Sequence, residues 1–157
     1  MNICDITTCD VCNGAGVGVV VWVSGCDIHC PGCHNKATWD PSCGEPFTEE
    51  LKEKLFSELS RPEVVRLTIS GGHPLMPCNF ESVKELLSEV REKYSHIKIW
   101  LYTGYVYEEL SLEHLQLIHS CVDVLVDGPY VEELRDTSLP YRGSSNQRII
   151  EITIPEN

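Results

Sequence analysis

The chain has 157 residues, and 42% of them are apolar, which is enough to bury the core of one domain and too much for a globally disordered protein. The formal net charge of −12 argues against binding to a nucleic-acid backbone, which requires a basic surface. The sequence shows no apolar run long enough to span a membrane and no signal-peptide pattern at its amino terminus. We therefore expect residues 1–157 to form one cytoplasmic domain that has no nucleic-acid or membrane partner.

In chain order, residues 1–16 are rich in turn formers and predict an irregular lead-in that ends in closely spaced glycines. Residues 17–24 are apolar and β-branched, which predicts a buried first strand followed by a long loop. Thr48 then precedes two glutamates and an apolar stripe. This is the pattern of a capped helix, which Pro62 ends.

Strands and helices alternate beyond Pro62. The sequence predicts strands at residues 64–70, 97–102, 122–126 and 148–154, helices at 80–94 and 112–119, and one helical turn at 132–135. This alternation indicates right-handed βαβ units and a parallel sheet, with the last strand at an edge. About five strands cannot close an eight-stranded barrel. We therefore predict an α/β fold: an open, partial (β/α) barrel of about five mostly parallel strands, whose open side admits a large substrate.

Three thiols fall in the stretch Cys26-Asp-Ile-His-Cys30-Pro-Gly-Cys33, directly after the first strand. Thiolates favour iron–sulfur clusters, zinc or copper(I), and a closed zinc site needs four protein ligands. A 4Fe–4S cluster on three local thiolates keeps one iron free to bind a substrate. We therefore predict a 4Fe–4S cluster on Cys26, Cys30 and Cys33. His29 or His34 as a fourth ligand would instead make a zinc knuckle, and that alternative stays open.

The other cysteines do not form a second predicted site. The chain has nine cysteines, an odd number that would indicate disulfides in a secreted protein. Without an export signal, reduced thiols in a cytosol fit better. Cys4, Cys9 and Cys12 have a spacing that could hold a metal, but no clear fourth ligand follows them locally.

Gly71 and Gly72 follow the second predicted strand. Two glycines at this point let the backbone approach a ligand closely, and Pro74 removes one competing amide donor. The same pair is equally typical of a simple turn from a strand into a loop.

The cysteine spacing and several other segments resemble the radical S-adenosylmethionine (SAM) enzymes and, within them, the activating proteins of anaerobic (class III) ribonucleotide reductases. The similar segments cover nearly the whole chain in the order of that family: Asn13-Gly14 with Gly16, Val23-Ser24-Gly25-Cys26, Pro31-Gly32-Cys33, Asn35-Lys36-Ala37-Thr38-Trp39, Ser70-Gly71-Gly72-His73-Pro74-Leu75, Tyr102-Thr103-Gly104-Tyr105, Val124-Leu125-Val126-Asp127-Gly128 and Arg142-Gly143-Ser144-Ser145-Asn146-Gln147. The cysteine motif alone is moderately specific, whereas the ordered set is highly specific.

The resemblance implies which residues contact SAM. In the family, main-chain atoms of the glycine pair, here Gly71 and Gly72, bind the amino group of SAM. The residues around the third cysteine, here Gly32, Cys33 and His34, line its adenine side. The flat ring of His34 suits stacking on a base.

Two further positions lie at the carboxyl ends of predicted strands. Thr103 is placed where contacts to the ribose or the carboxylate are expected. His73 departs from the family, which usually has an acidic residue there. A main-chain role in binding SAM would survive this change, whereas a role of a side-chain carboxylate would not.

The resemblance also implies an activity. The cluster would reductively cleave SAM, and the 5′-deoxyadenosyl radical would remove a hydrogen from a backbone glycine of a large anaerobic ribonucleotide reductase, leaving a stable glycyl radical. Reduced flavodoxin or a similar carrier would supply the electron. Three alternatives stay open: activation of another glycyl-radical enzyme, a small-molecule radical SAM enzyme such as a deazapurine synthase, and a non-catalytic zinc- or cluster-binding module.

Overall fold

The structure is a computed structural model that describes residues 1–153. Seven strands within these residues form one sheet in the order β3-β1-β2-β4-β5-β6-β7. The strands are β1 (Asn2–Asp10), β2 (Gly18–Val23), β3 (Glu45–Pro46), β4 (Arg66–Gly71), β5 (Lys98–Tyr102), β6 (Val124–Asp127) and β7 (Arg148–Glu151). The helices are α1 (Glu49–Leu59), α2 (Pro77–Lys93) and α3 (Leu112–Cys121), with short 3-10 turns at Lys36–Thr38, Tyr107–Glu109 and Glu132–Leu134. In this part of the chain, no helix combines the length and the apolarity that crossing a membrane requires.

The predicted α/β architecture is confirmed, but the strand count and directions are corrected. The sheet has seven strands rather than about five. Parallel pairing is limited to β2 with β4, β4 with β5, and β5 with β6, and the outer pairings are antiparallel. The last predicted strand is β7, at the edge beside β6, and it ends at Glu151. Ile154, which the sequence placed in that strand, lies outside the described residues.

The predicted irregular lead-in is wrong, because residues 2–10 form β1 and pair with β2. The pairing register is interrupted twice, between Ile3 and Asp5 and again between Thr7 and Asp10. Each interruption moves later side chains to the other face of the sheet, so β1 lacks the regular alternation that marks a strand in sequence. Its irregular pattern therefore resembles a loop.

The helices begin where the sequence places capping residues. The Thr48 hydroxyl accepts a hydrogen bond from the Leu51 backbone N–H at 3.4 Å and caps α1. Ser111 caps α3 in the same way through the His114 N–H at 3.2 Å. Helix α2 starts at Pro77, earlier than predicted, because proline is favoured in the first turn, where its missing N–H has no partner to lose.

One face of the sheet, here called the helix-covered face, packs against all three helices. Its strands contribute valine, leucine and isoleucine, and the helices contribute similar side chains to one core cluster. The strand residues on this face are Val19, Val21, Val23, Leu67, Ile69, Ile99, Leu101 and Leu125, and the helix residues include Leu55, Leu59, Val83, Leu87 and Ile118. This face is continuous and buried, as parallel sheets require.

The opposite face, here called the polar face, carries Arg66, Thr68, Ser70, Trp100 and Tyr102, which alternate with the core residues along β4 and β5. The segment between β1 and β2 covers it. The Arg66 side chain is 0% exposed and bonds the Asp10 carboxylate at 2.7 Å. At the other side of this face, the Tyr102 hydroxyl donates to a backbone carbonyl at 2.6 Å.

Gly14 shows how tightly that covering segment packs. Its φ is +139°, and a Cβ at this position would lie 2.6 Å from Arg66 Cδ. Arg66 also donates to the Asn13 carbonyl at 2.9 Å, and the Thr68 hydroxyl donates to the same oxygen at 2.8 Å. Glycine is therefore required where the backbone crosses the buried guanidinium.

Candidate functional site

The three predicted cluster ligands line one cavity, here called the cluster cavity, at the carboxyl ends of β2, β4 and β5. Its lining also includes Ile28, Asn35, Trp39, Ser70, Gly71, Gly72, His73, Tyr102, Thr103, Gly104, Gly128, Tyr130 and Gln147. The structure thus brings Cys26, Cys30 and Cys33 together with the glycine pair, although the two segments are far apart in sequence. Strand ends are where α/β folds place ligands.

Backbone hydrogen bonds close the cysteine loop on itself. The Gly25 N–H donates to the Thr38 carbonyl at 2.7 Å, and the Cys26 N–H donates to the Trp39 carbonyl at 3.0 Å. Between these points, the Cys33 N–H donates to the Cys30 carbonyl at 3.1 Å. The cysteines are therefore held on a short, internally bonded loop rather than on a free segment.

The thiols lie close enough to influence one another. Burial raises the pKa of the Cys30 thiol, and the neighbouring Cys33 and Cys26 thiols raise it further, while a backbone hydrogen bond from Tyr130 partly opposes them. Negative charge therefore accumulates unfavourably on this loop. A cationic metal centre would offset that repulsion and stabilise the thiolates.

Three cysteines line the cluster cavity, one fewer than the four protein ligands of a closed zinc site. Among residues 1–153, no group of three His, Cys, Asp or Glu side chains is arranged to hold one metal ion. Tetrahedral zinc, with Zn–S bonds of about 2.3 Å, needs its ligand atoms within roughly 4 Å of one another. A 4Fe–4S cluster instead spreads its thiolates over different irons. The two histidines considered as a fourth ligand make aromatic contacts: the His29 ring packs on Trp39 at 4.6 Å, and the His34 ring meets Tyr130 at 5.7 Å.

Gly71 and Gly72, at the end of β4, pack against the backbone at the start of the cysteine loop. A Cβ on Gly72 would lie 2.2 Å from the Gly25 carbonyl oxygen, and one on Gly71 would lie 2.8 Å from the Val23 nitrogen. The His73 N–H donates to that same Gly25 oxygen at 2.6 Å. The pair therefore packs backbone against backbone in the turn after β4 and also lines the cluster cavity, and its contact with a ligand stays a prediction.

His73 is buried and both of its ring nitrogens are engaged. Its Nδ1 lies 2.6 Å from an Asp27 carboxylate oxygen, and its Nε2 lies 2.8 Å from the Thr103 hydroxyl. Tyr105 completes the network by donating its hydroxyl to the other Asp27 oxygen at 2.7 Å. The imidazole therefore links the cysteine loop to the end of β5, a structural connection that a shorter polar side chain could not make.

The charges in this network follow from its contacts. Burial lowers the pKa of His73, although Asp27 acts in the opposite direction, so the imidazole is neutral near pH 7. Burial alone would raise the pKa of Asp27, but hydrogen bonds from Tyr105 and His73 lower it below its ordinary value. The network therefore combines a neutral imidazole with the negative charge of Asp27.

The other residues predicted to contact SAM lie in different surroundings. His34 lines a second, outer cavity that adjoins the first through Cys33, and that outer cavity also includes Cys12, Asn13, Trp22, Asn35, Ser70, Tyr102, Tyr130, Leu139, Tyr141, Arg142, Gly143 and Gln147. Thr103 lines the cluster cavity, but its hydroxyl is already bonded to His73. Gly32 lines neither cavity, and the Glu132 carboxylate occupies the space where its Cβ would point, at 2.0 Å.

Sequence reasoning missed several residues of these cavities. Tyr130 and Gln147 reach the cluster cavity from loops that follow β6 and precede β7. Gln147 accepts hydrogen bonds from the Gly143 N–H at 3.0 Å and the Ser144 N–H at 3.2 Å, which folds its segment into a turn. Only the resemblance marked this segment, since polar residues in a loop carry no periodic signal.

Comparisons with known proteins agree with this geometry. Residues 12–150 match the family model described as a 4Fe-4S single cluster domain. The chain is 39% identical to an anaerobic ribonucleoside-triphosphate reductase-activating protein of Escherichia coli (strain K12), over 88% of this chain and 90% of that one. It is 41% identical to the protein of that description from Enterobacteria phage T4, over 95% of this chain and 93% of that one. For the protein from Vibrio cholerae serotype O1, the identity is 39% over 92% of this chain and 94% of that one.

Proposed function

The chain belongs to the family of anaerobic ribonucleoside-triphosphate reductase-activating proteins, and on that premise we propose that it activates a large anaerobic ribonucleotide reductase. The family model confirms the predicted 4Fe–4S cluster at the level of the domain. We assign its ligation to Cys26, Cys30 and Cys33, because they alone among the cysteines line the cavity that the glycine pair also lines.

Cys26, Cys30 and Cys33 would hold a cluster that, when reduced, would supply the electron for cleavage of SAM to methionine and a 5′-deoxyadenosyl radical, and that radical would take a hydrogen atom from one backbone glycine of the reductase. The chain provides position and shielding for this chemistry. Main-chain atoms of Gly71 and Gly72 are proposed to bind the amino group of SAM, and the His34 ring the adenine. Cys33 and Thr103 complete the proposed contacts.

We propose that a protein substrate reaches the site through the outer cavity. That cavity shares Cys33 and Tyr130 with the cluster cavity and extends to Tyr141 and Arg142, which supports this route. We propose that the polar face forms the inside of an open, partial barrel of the radical SAM type. Gly32, packed under Glu132, then shapes the cysteine loop behind the nucleoside rather than widening either cavity.

The test also distinguishes the proposed function from several alternative functions. Family membership favours the reductase over other glycyl-radical enzymes and over small molecules such as the substrate of a deazapurine synthase. A zinc module would need a fourth protein ligand in addition to the three cysteines that line the cavity. Reduced flavodoxin or a similar carrier is the proposed electron donor.

The observation that carries the proposal is the meeting of the three cysteines with Gly71 and Gly72 in one cavity. The test is anaerobic reconstitution with iron and sulfide, followed by metal analysis and measurement of 5′-deoxyadenosine under reduction. We expect about four irons per chain and formation of 5′-deoxyadenosine. In a mixture with the reductase, electron paramagnetic resonance should then show a glycyl doublet.

Two cysteine variants make the test specific. Cys30→Ser should lose the cluster and reduce 5′-deoxyadenosine to background, because one iron loses its thiolate. Cys78→Ser is the matched control, since Cys78 is an exposed cysteine of α2 outside both cavities. Zinc in place of iron would end the enzyme proposal, and cleavage of SAM without the doublet would identify a different substrate.

A further inference from the structure

The indole N–H of Trp39 is buried and has no hydrogen-bond acceptor among residues 1–153. Buried polar groups are almost always paired, and leaving one unpaired costs about 1–3 kcal/mol. His114 Nδ1 and the Nε atoms of Arg66, Arg91 and Arg142 are unpaired as well, but Arg66 and Arg91 bond through their other nitrogens. The indole has a single donor, so its one hydrogen-bonding group lacks a partner in the protein.

Trp39 is fixed inside the cysteine loop. Its carbonyl accepts the Cys26 N–H at 3.0 Å, and its own N–H donates to the Lys36 carbonyl at 3.2 Å. Its ring packs on His29 at 4.6 Å, and the Lys36 ammonium lies 5.9 Å above it. These contacts place the indole against the cysteine loop.

The surroundings of Trp39 identify the missing acceptor. The residue lines the cluster cavity together with Cys26, Cys30 and Cys33. A 4Fe–4S cluster on these cysteines presents inorganic sulfides and thiolates, which accept hydrogen bonds from donors in the surrounding loop. The residue that carries the buried donor and the cysteines that would hold the cluster therefore line the same cavity.

We propose that the Trp39 indole N–H donates a hydrogen bond to a sulfur of the cluster and raises its reduction potential. The inference rests on the proposed cluster. A donor to cluster sulfur stabilises the reduced form more than the oxidised form, because the reduced form carries one more negative charge. Trp39 is thus a positioning and tuning residue of the cluster, distinct from its ligands.

The test compares Trp39→Phe with the unaltered protein in a redox titration of the reconstituted cluster without SAM. Phenylalanine keeps an aromatic ring against His29 but removes the N–H. We expect the reduction potential of the cluster in Trp39→Phe to be lower by about 59 mV. This corresponds to a roughly tenfold change in the one-electron equilibrium constant. Trp22→Phe is the matched control, because the Trp22 indole already donates to the Thr7 hydroxyl at 2.8 Å. The reduction potential of the cluster in this variant should equal that of the unaltered protein.

A second measurement covers the case in which Trp39→Phe fails to assemble a cluster. In the unaltered protein labelled with indole-¹⁵N tryptophan, electron–nuclear double resonance of the reduced cluster should show a ¹⁵N coupling. Trp22→Phe should retain that coupling. Its absence from the unaltered protein would overturn the inference.

The remaining outcomes separate this inference from the proposed function. A normal cluster with an unchanged potential in Trp39→Phe would overturn the role of Trp39 and leave the activase proposal intact. A shift that appears only after SAM is added would also overturn it, because the acceptor would then be a group of SAM. Failure of the unaltered chain to bind iron would reject the function itself.

Discussion

On the helix-covered face of the sheet, the central strands present valine, leucine and isoleucine to α1, α2 and α3, whereas on the polar face the same strands present arginine, threonine, serine and tyrosine. Both faces are buried in the middle. Leu67 and Arg66 are neighbours in β4, point to opposite faces, and are both 0% exposed. β4 and β5 therefore each combine two different kinds of stabilisation.

The two faces also have different roles in the protein. Burial of apolar side chains stabilises the helix-covered face, at about 1.5–3 kcal/mol for each large side chain, without requiring any particular partner. The polar face depends on named hydrogen bonds, and it holds the covering segment and the cavities in one arrangement. The chemistry lies where the polar face meets the carboxyl ends of the strands.

The largest expected effect comes from Arg66→Met, which removes the cation from the polar face. Asp10 would remain largely buried without its partner, and the carbonyls of Asp10 and Asn13 would lose a donor. Breaking one side of a buried ion pair costs about 3–5 kcal/mol. Urea denaturation of the unaltered protein and the variant measures this free energy of unfolding.

Lys98→Met is the matched control for that prediction. Lys98 pairs with Arg66 across the strands, but its side chain is 68% exposed and bonds Asp123 at the surface. We expect a far smaller change in the free energy of unfolding. Equal losses in the two variants would contradict the view that the polar face depends on its buried ion pair.

The two faces also differ in how far the sequence predicted them. The core positions of β2, β4 and β5 follow from continuous apolar runs, a local signal. The position of Arg66 inside such a run gave no indication of burial, because its partner Asp10 lies in β1, which was predicted as a loop. Two register interruptions in β1 hid its strand pattern.

In the candidate site, too, local features could be predicted from the sequence and long-range contacts could not. The spacing of Cys26, Cys30 and Cys33 is local, so their shared cavity could be predicted, as could the position of two adjacent glycines at the end of a strand. The link from Asp27 to His73 joins the cysteine loop to the segment after β4, and nothing in either segment names the other. Long-range side-chain pairs of this kind need the folded chain.

A somewhat smaller effect is expected from Leu101→Ala on the helix-covered face. Leu101 is 0% exposed within the core cluster. Truncating it leaves a cavity and should cost about 3 kcal/mol. Iron content and the amount of 5′-deoxyadenosine per folded chain should stay near the values of the unaltered protein, since the side chain points away from both cavities. If the variant folds fully but does not assemble the cluster, the proposed division of roles between the two faces is wrong.

A smaller effect still is expected from His73→Glu, at the edge where both faces end. The acidic side chain that the family usually has would here place a second carboxylate beside Asp27, which lies 2.6 Å from the imidazole. Loss of that hydrogen bond and repulsion between like charges should cost about 1–3 kcal/mol of unfolding free energy. Thermal or urea denaturation measures the change.

The double variant His73→Glu with Asp27→Asn sharpens this prediction. The amide removes the repulsion, so most of the lost stability should return. If the single variant is as stable as the unaltered protein, the Asp27–His73 contact does not stabilise the cysteine loop. If the double variant is no better than the single one, the loss has a cause other than charge.

The smallest expected effect is a difference in pH dependence between the unaltered protein and Arg66→Met. Burial alone would raise the pKa of Asp10, but hydrogen bonds from Arg66 and Asn13 lower it below the ordinary value of 3.8. A lowered pKa stabilises the folded protein above 3.8, and that contribution is lost as the pH falls through the folded value. Arg66→Met lacks most of this contribution at every pH. The stability gap between the two proteins should therefore be constant near neutral pH and narrow as the pH falls below about 4, and a gap that stays constant down to acid unfolding would show that the carboxylate charge of Asp10 contributes nothing to the polar face.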